Sequence, residues 1–288
     1  MILARTLITS RDFCNRHTLT SSSRLEYLLH RIAIFAATRW ECHAIQRALP
    51  GGRVAKMGGV RCYTAETSHV SVTLIQTGVG IQNALTAGEE VLGASQWDLA
   101  ISSVFAGALI PSCIGALVLP HTVALKSFDT AERVGLSSFP CSVEYHRIAS
   151  QVVEVIQPSL VSGVLVTVPW IVWSVSEKRA IAETFQASAL DMESAGIAER
   201  ATEQKIPFLV IRTVSDLKDE NLPEEFNLFL SPSTWVRGAW RIISQPAHWA
   251  KLFRLRQQMK VASRQLTSFF DTFFLYLGQQ DHDSSHRR

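Results

Sequence analysis

The chain has 288 residues, of which 47% are hydrophobic and 18% are charged, so it can bury a full core in one domain with an appendage. No apolar run approaches the ~18 residues that a membrane span needs, and a net charge of +3 is too small to indicate nucleic-acid binding by the whole protein. Five scattered cysteines without a C-x-x-C pair and nine histidines without ligand spacing predict reduced thiols, a cytoplasmic protein and no metal.

Residues 1–30 form a basic segment that we expect to be disordered. It is rich in Ser and Thr, and its charged residues are mostly basic: Arg5, Arg11, Arg16 and Arg24 against Asp12 and Glu26. A targeting peptide has this composition. A flexible tail or translation from an upstream start codon explains it equally well.

Residues 31–220 alternate between strand and helix patterns. Strands are predicted near 32–37, 60–66, 71–77, 98–104, 116–124, 162–168, 187–190 and 207–213. Helices are predicted near 40–48, 81–94, 145–156, 176–186 and 193–204. This alternation predicts an α/β fold, a three-layer sandwich on a central, mostly parallel mixed sheet.

Two acidic sites lie at the ends of apolar runs in this region. Glu193 follows the run that ends at Leu190, and Asp216 follows the strand that Pro207 opens. Open α/β sheets bind ligands at the carboxyl ends of their strands, so both acids are candidate site residues. Each taken alone is better explained as a helix cap or a first-turn acid. Gly78 and Gly80 also follow a strand, but Asn83 does not fit a dinucleotide fingerprint, which favours two close-approach turn residues.

Residues 221–288 are predicted to form a helical C-terminal extension. From Trp235 to Arg264 it contains seven Lys and Arg residues and no acid, and apolar residues from Leu252 to Phe273 recur at helical spacing. A basic amphipathic helix can make a peripheral membrane contact, here through 235–277, at the inner membrane. Docking of the helix on the α/β domain or on a second subunit is the favoured alternative.

Several of these motifs, in order, resemble the nucleoside phosphorylase and nucleosidase superfamily. They are Ile32 to Glu41, Met57 to Ala65, Val72 to Gly80, Asp98 to Leu109, Asp191-Met192-Glu193-Ser194 and Arg212 to Asp219. The branches that look most similar are the methylthioadenosine/S-adenosylhomocysteine nucleosidases and the hopanoid-associated phosphorylases, the latter through Asp216 to Pro223 and Ser244 to Leu255. The resemblance covers about two thirds of the chain and implies a homodimer that cleaves purine nucleosides.

The resemblance also implies roles for individual residues. Asp216 would bind or protonate the purine, which needs a carboxyl group whose pKa burial raises. Glu41 would polarise the attacking water, and Glu193 would accept hydrogen bonds from the ribose hydroxyls with Met192 packed beside the sugar. The remaining predicted substrate contacts are Gly78, Phe105, Ala106 and Gly107.

Two departures from the family pattern bear on the substrate. Phe105 replaces a small or hydroxyl-bearing residue, which makes the expected pocket more apolar. Trp170 stands in the base-binding stretch, where it could stack on a purine or serve as a core or interface aromatic.

The sequence leaves the reaction type open between hydrolysis and phosphorolysis. No cofactor is expected, and phosphate is a candidate co-substrate with Arg39 as its ligand and Arg212 as a second candidate. The hopanoid resemblance favours phosphorolysis of a lipid-linked adenine nucleoside. The alternatives are a hydrolytic methylthioadenosine/S-adenosylhomocysteine nucleosidase and a catalytically inactive nucleoside-binding module.

Overall fold

The computed structural model describes residues 30–57, 59–67, 70–126, 136–222 and 246–285, with side chains omitted at 126, 136, 246–252 and 279–285. The basic segment 1–29 and residues 223–245 of the predicted extension lie outside the described residues. No described helix is both long and apolar enough to cross a membrane.

Twelve strands and six helices make up the described part of the chain. The strands are β1 His30–Ala36, β2 Arg53–Met57, β3 Val60–Glu66, β4 Val70–Gln76, β5 Leu99–Ser102, β6 Phe105–Ala108, β7 Leu117–Lys126, β8 Leu136–Pro140, β9 Leu160–Thr167, β10 Ala187–Asp191, β11 Phe208–Val210 and β12 Arg212–Asp216. The helices are α1 Arg39–Arg47, α2 Ile81–Leu92, α3 Val143–Ile156, α4 Val175–Phe185, α5 Ser194–Glu203 and α6 Pro246–Ser285.

The strands form two six-stranded sheets. The first has the order β11-β5-β1-β4-β3-β2, and the second has the order β12-β6-β10-β9-β7-β8. Six of the eleven strand pairings among the described residues are parallel, so the pairing is mixed with a parallel majority. Because β12 also pairs with β7, five strands of the second sheet close into a ring.

Two segments pass directly from the first sheet to the second, and they do so side by side. The chain leaves β5 at Ser102 and enters β6 at Phe105, and it leaves β11 at Val210 and enters β12 at Arg212. The backbone N–H of Ile211 donates to the carbonyl of Ser102 at 3.1 Å, which joins the two crossing points. The sequence predicted one strand over 207–213 across the second crossing, and a strand over 98–104 that ends before β6.

Alternate residues of β1 face two different cores, as the period of a strand requires. Ile32 and Ile34 pack with side chains of α1, α3 and α6, whereas Ala33 and Phe35 pack with side chains of α2 and α5. The first sheet is therefore covered by helices on both faces. The expected α/β sandwich with mixed pairing and a C-terminal helix is confirmed, with its strands divided between two sheets.

Helix α6 completes the core on one face of the first sheet. Leu266, Phe269, Phe270, Phe273 and Leu277 are each at most 1% exposed, and they belong to the same cluster as Ile32 and Ile34. Full burial of one such side chain stabilises the fold by roughly 1.5–3 kcal/mol. This packing agrees with a docked helix, and it removes Leu266 to Phe273 from the apolar face that a membrane contact would use.

Candidate active site

Glu41, Glu193 and Asp216 line one pocket of about 200 Å³ at the crossing between the two sheets. Met192, Phe105, Gly107 and Trp170 line it as well. A larger cavity, of about 820 Å³, lies between the loop after Asp216 and α6, but it contains none of these carboxylates. The smaller pocket is the candidate active site, because it unites the groups that could perform the chemistry.

Helix α1 holds Glu41 at its first turn. Glu41 Oε2 accepts the backbone N–H of Thr38 at 2.6 Å and its hydroxyl at 2.8 Å. The other oxygen accepts the backbone N–H of Phe105 at 2.9 Å. Burial raises the pKa of Glu41, although these hydrogen bonds oppose the effect. A carboxyl group held at both oxygens and poised to take up a proton suits a general base for water.

Glu193 lies at the N-terminus of α5, and the turn after β4 fixes its orientation. The backbone N–H of Gly80 donates to Glu193 Oε1 at 2.7 Å, across 113 residues of sequence. Burial raises the pKa of Glu193 to about 8, with the negative charge of Asp191 as the second cause. Burial and the charge of Asp191 thus favour the protonated form of Glu193, and the Gly80 hydrogen bond favours the charged acceptor that the sequence analysis expects.

Asp191 and Arg212 form a buried ion pair behind Glu193. The guanidinium Nη2 of Arg212 lies 2.6 Å from Asp191 Oδ2, and both side chains are fully buried. Arg212 also donates to the hydroxyls of Ser102 and Ser194, at 2.7 and 2.5 Å. Ser102 ends β5 and Arg212 begins β12, so this guanidinium spans the crossing between the sheets. With its donors engaged by protein groups, Arg212 is not placed to bind phosphate.

Asp216 is paired with a buried lysine that the sequence analysis did not single out. Lys178 Nζ lies 2.6 Å from Asp216 Oδ2, with side-chain exposures of 1% and 9%. The same ammonium group donates to the carbonyls of Leu217 and Glu220, at 2.8 and 3.1 Å. The hydroxyl of Ser215 donates to the other carboxylate oxygen at 3.0 Å. The sequence interpretation considered burial alone and missed this cation.

Gly107 packs closely against Asp216. A Cβ atom at Gly107 would lie 3.0 Å from Asp216 Oδ2 and 3.3 Å from Leu190. Ala106 is buried and does not line the pocket, but its carbonyl accepts the hydroxyl of Ser215 at 3.3 Å. Gly107 therefore lies in close contact with Asp216 and Leu190, while Ala106 contributes only its backbone carbonyl, which binds Ser215.

Gly78 and Arg39 lie outside the pocket. Gly78 adopts a φ of +86° and donates its N–H to the carbonyl of Ala37 at 3.1 Å, so it shapes the turn that presents Gly80. Arg39 lines a different groove, between α1 and α6. The structure does not bring Arg39 together with the pocket carboxylates, because residues two apart on a helix do not share a face and Glu41 occupies the inner one.

Trp170 closes one side of the pocket. The indole N–H of Trp170 donates to Glu177 Oε1 at 2.6 Å, which fixes the ring at the pocket wall. Among the residues that the structure describes, no three His, Cys, Asp or Glu side chains are grouped so as to hold a metal.

Residues 31–233 match the sequence model of the phosphorylase superfamily. A 5′-methylthioadenosine/S-adenosylhomocysteine nucleosidase of Buchnera aphidicola subsp. Schizaphis graminum is 25% identical over 208 residues, which cover 68% of this chain and 88% of the relative. The enzyme of the same name from Staphylococcus aureus (strain MRSA252) is 27% identical over 210 residues, 69% of this chain and 92% of the relative.

Solved structures agree with the fold. The 5′-methylthioadenosine/S-adenosylhomocysteine nucleosidase of Neisseria meningitidis, in complex with methylthio-immucillin-A, superposes with a TM-score of 0.64 at 18% identity, covering 85% of this chain and all of that one. Since the matched region 31–233 spans more than half of the chain and carries all three pocket carboxylates, this protein belongs to the phosphorylase superfamily.

Proposed function

We propose that this protein hydrolyses the N-glycosidic bond of an adenine nucleoside, the reaction class that the names of its nucleosidase relatives indicate. The observation that carries the proposal is the meeting of Glu41, Glu193 and Asp216 in one pocket. None of the described residues lining that pocket carries a positive charge. Water is therefore a better-supported nucleophile than phosphate, which needs cations or free amides around it.

Each carboxyl group takes one part of the reaction. Bond cleavage leaves a cationic sugar, and the bonding electron pair goes to the purine. Asp216 binds the purine and donates a proton to the ring that receives the bonding electron pair, and Lys178 pairs with the carboxylate that remains. Glu193 binds the ribose hydroxyls. Glu41 takes the proton of the water whose oxygen bonds to the sugar carbon.

The apolar lining indicates the class of 5′ substituent. Val79, Val104, Phe105, Ile171 and Met192 supply hydrocarbon or thioether surface to the pocket. A 5′-alkylthio group is uncharged and would bury its surface there at little cost. We therefore place 5′-methylthioadenosine ahead of adenosine as a substrate. We also propose a cytoplasmic location, a helical C-terminal extension from residue 221, and a homodimer, which light scattering tests.

Product analysis tests the proposal. Incubation with 5′-methylthioadenosine should release adenine and free methylthioribose at the same rate with and without phosphate, and Glu41→Gln should abolish the release. A sugar 1-phosphate formed only in phosphate buffer would instead establish phosphorolysis. Cleavage confined to a lipid-linked adenosine in vesicles would favour the hopanoid-like alternative, and tight nucleoside binding without turnover would favour the inactive module.

A further inference from the structure

We propose that the groove between α1 and α6 binds a compound bearing two or more phosphate charges, at a site separate from the carboxylate pocket. The groove has a volume of about 510 Å³. Its described lining consists of Arg39, Trp40, His43, Arg47, Lys260, Ser263 and Arg264. It shares no lining residue with the carboxylate pocket.

The concentration of positive charge is the first observation. Four of the seven lining residues are Arg or Lys, and none of the seven is acidic. Arg39, Arg47, Lys260 and Arg264 form no ion pair with another residue that the structure describes. Guanidinium groups bind phosphate oxygens through paired hydrogen bonds, so the groove offers the donors that such a ligand requires.

The spacing of these cations gives no benefit to folding. Arg39, His43 and Arg47 recur every four residues on α1, and Lys260 and Arg264 do the same on α6. Like charges at this spacing destabilise a helix. An anion between the two helices would convert this repulsion into attraction.

A buried hydroxyl is the second, independent observation. Ser263 is 6% exposed, and its Oγ has no hydrogen-bond partner among the described residues. Buried polar atoms usually have a partner, so this hydroxyl, shielded from solvent on a residue that lines the groove, has a hydrogen available for a ligand that reaches it. Next to it, the hydroxyl of Thr267 donates to the carbonyls of Ala44 and Ser263, at 2.7 and 3.0 Å, which holds the two walls of the groove together.

Titration calorimetry with pyrophosphate on the full chain at low ionic strength tests the site. We expect one saturable site per chain, weakened at least ~10-fold by Lys260→Ala combined with Arg264→Ala, since charge-assisted contacts are the strong ones. Arg254→Ala is the matched control, because Arg254 is an exposed cation of the same helix that lines the other cavity. Equal losses in the control and the double variant would overturn the proposal, as would no binding to any probe.

Ser263→Ala separates a ligand contact from a structural role. Its hydroxyl has no described partner in the empty protein, so we expect an unchanged or higher melting temperature together with weaker pyrophosphate binding. A lower melting temperature with unchanged binding would contradict the proposed contact. Cosedimentation with phosphatidic acid vesicles identifies the source of the phosphate: binding to vesicles and not to pyrophosphate assigns a lipid headgroup, and the reverse assigns a soluble compound.

Discussion

The carboxylate pocket and the α1–α6 groove use the two sides of one short helix in opposite ways. Glu41, on the inner side of α1, has both of its oxygens bound by protein donors. Arg39, on the outer side, has no ion-pair partner among the described residues and lies in an open groove. Pocket groups are oriented before a substrate arrives, whereas groove groups are available to be oriented by a ligand.

The largest effect should come from breaking the buried ion pair between Lys178 and Asp216. Lys178→Met leaves Asp216 buried without its cation, which should lower the free energy of unfolding by about 3–5 kcal/mol in chemical denaturation. Lys218→Met is the matched control, because its partner Asp219 is 67% exposed, and such surface pairs contribute at most about 1 kcal/mol.

A double variant distinguishes the lost pair from lost packing. Combining Lys178→Met with Asp216→Asn removes both charges, so it should recover more than half of the stability that the single variant loses. A double variant as unstable as Lys178→Met alone would mean that the lysine acts through packing and its carbonyl contacts, and not through Asp216.

The next effect concerns the chemical step. Asp216→Asn should lower kcat for 5′-methylthioadenosine by at least ~10²-fold, the scale of a lost acid–base group. Asp219→Asn, three residues further along the chain, should change kcat little. Circular dichroism at the assay temperature checks that the variant is folded, and near-normal turnover in a folded Asp216→Asn protein would remove Asp216 from the mechanism.

A smaller effect is the pH dependence that Glu193 imparts to stability. Its pKa rises from an ordinary value of 4.5 to about 8 in the folded protein, chiefly through burial. Between these values the unfolded chain has lost the proton that the folded protein keeps, so stability falls as pH rises from 5 to 8. The wild type should lose at least about 1 kcal/mol over this range through Glu193.

Glu193→Gln should remove that part of the pH dependence, because a neutral amide keeps an oxygen for the Gly80 N–H and does not titrate. Thermal unfolding at pH 5 and pH 8 measures the difference. Glu203→Gln provides the control, as Glu203 is about half exposed. Parallel pH profiles for the wild type and Glu193→Gln would show that Glu193 is already ionised in the empty pocket.

Strongly periodic segments were predictable from the sequence, and the crossing between the sheets was not. The helix predicted near 193–204 is α5, Ser194–Glu203, because its apolar residues share one face. The breaks at Ser103–Val104 and Ile211 contain neither Gly nor Pro. No local signal ends a strand there, since the breaks depend on which sheet each half pairs with.

The candidate site was likewise predictable from the sequence only in part. Glu41, Glu193 and Asp216 were found by a resemblance that preserves their order along the chain, and the structure places all three in one pocket. Lys178 was missed although a signal existed: it lies three and seven residues before Ile181 and Phe185, on the buried face of α4. Arg212 was considered as a phosphate ligand, because the sequence did not reveal Asp191 as its buried ion-pair partner.

The hydrogen bond from Thr267 to the carbonyl of Ala44 joins residues 223 positions apart. When every strand of both sheets has been synthesised, the phenylalanines of α6 that cover one face of β1 have not yet emerged from the ribosome. Until α6 emerges, Ile32 and Ile34 belong to an exposed apolar surface of the nascent chain. Chaperones bind transient surfaces of this kind. A stop codon within α6 would leave that apolar surface permanently exposed. We therefore expect quality-control proteases to degrade the truncated protein, even though it contains all three pocket carboxylates.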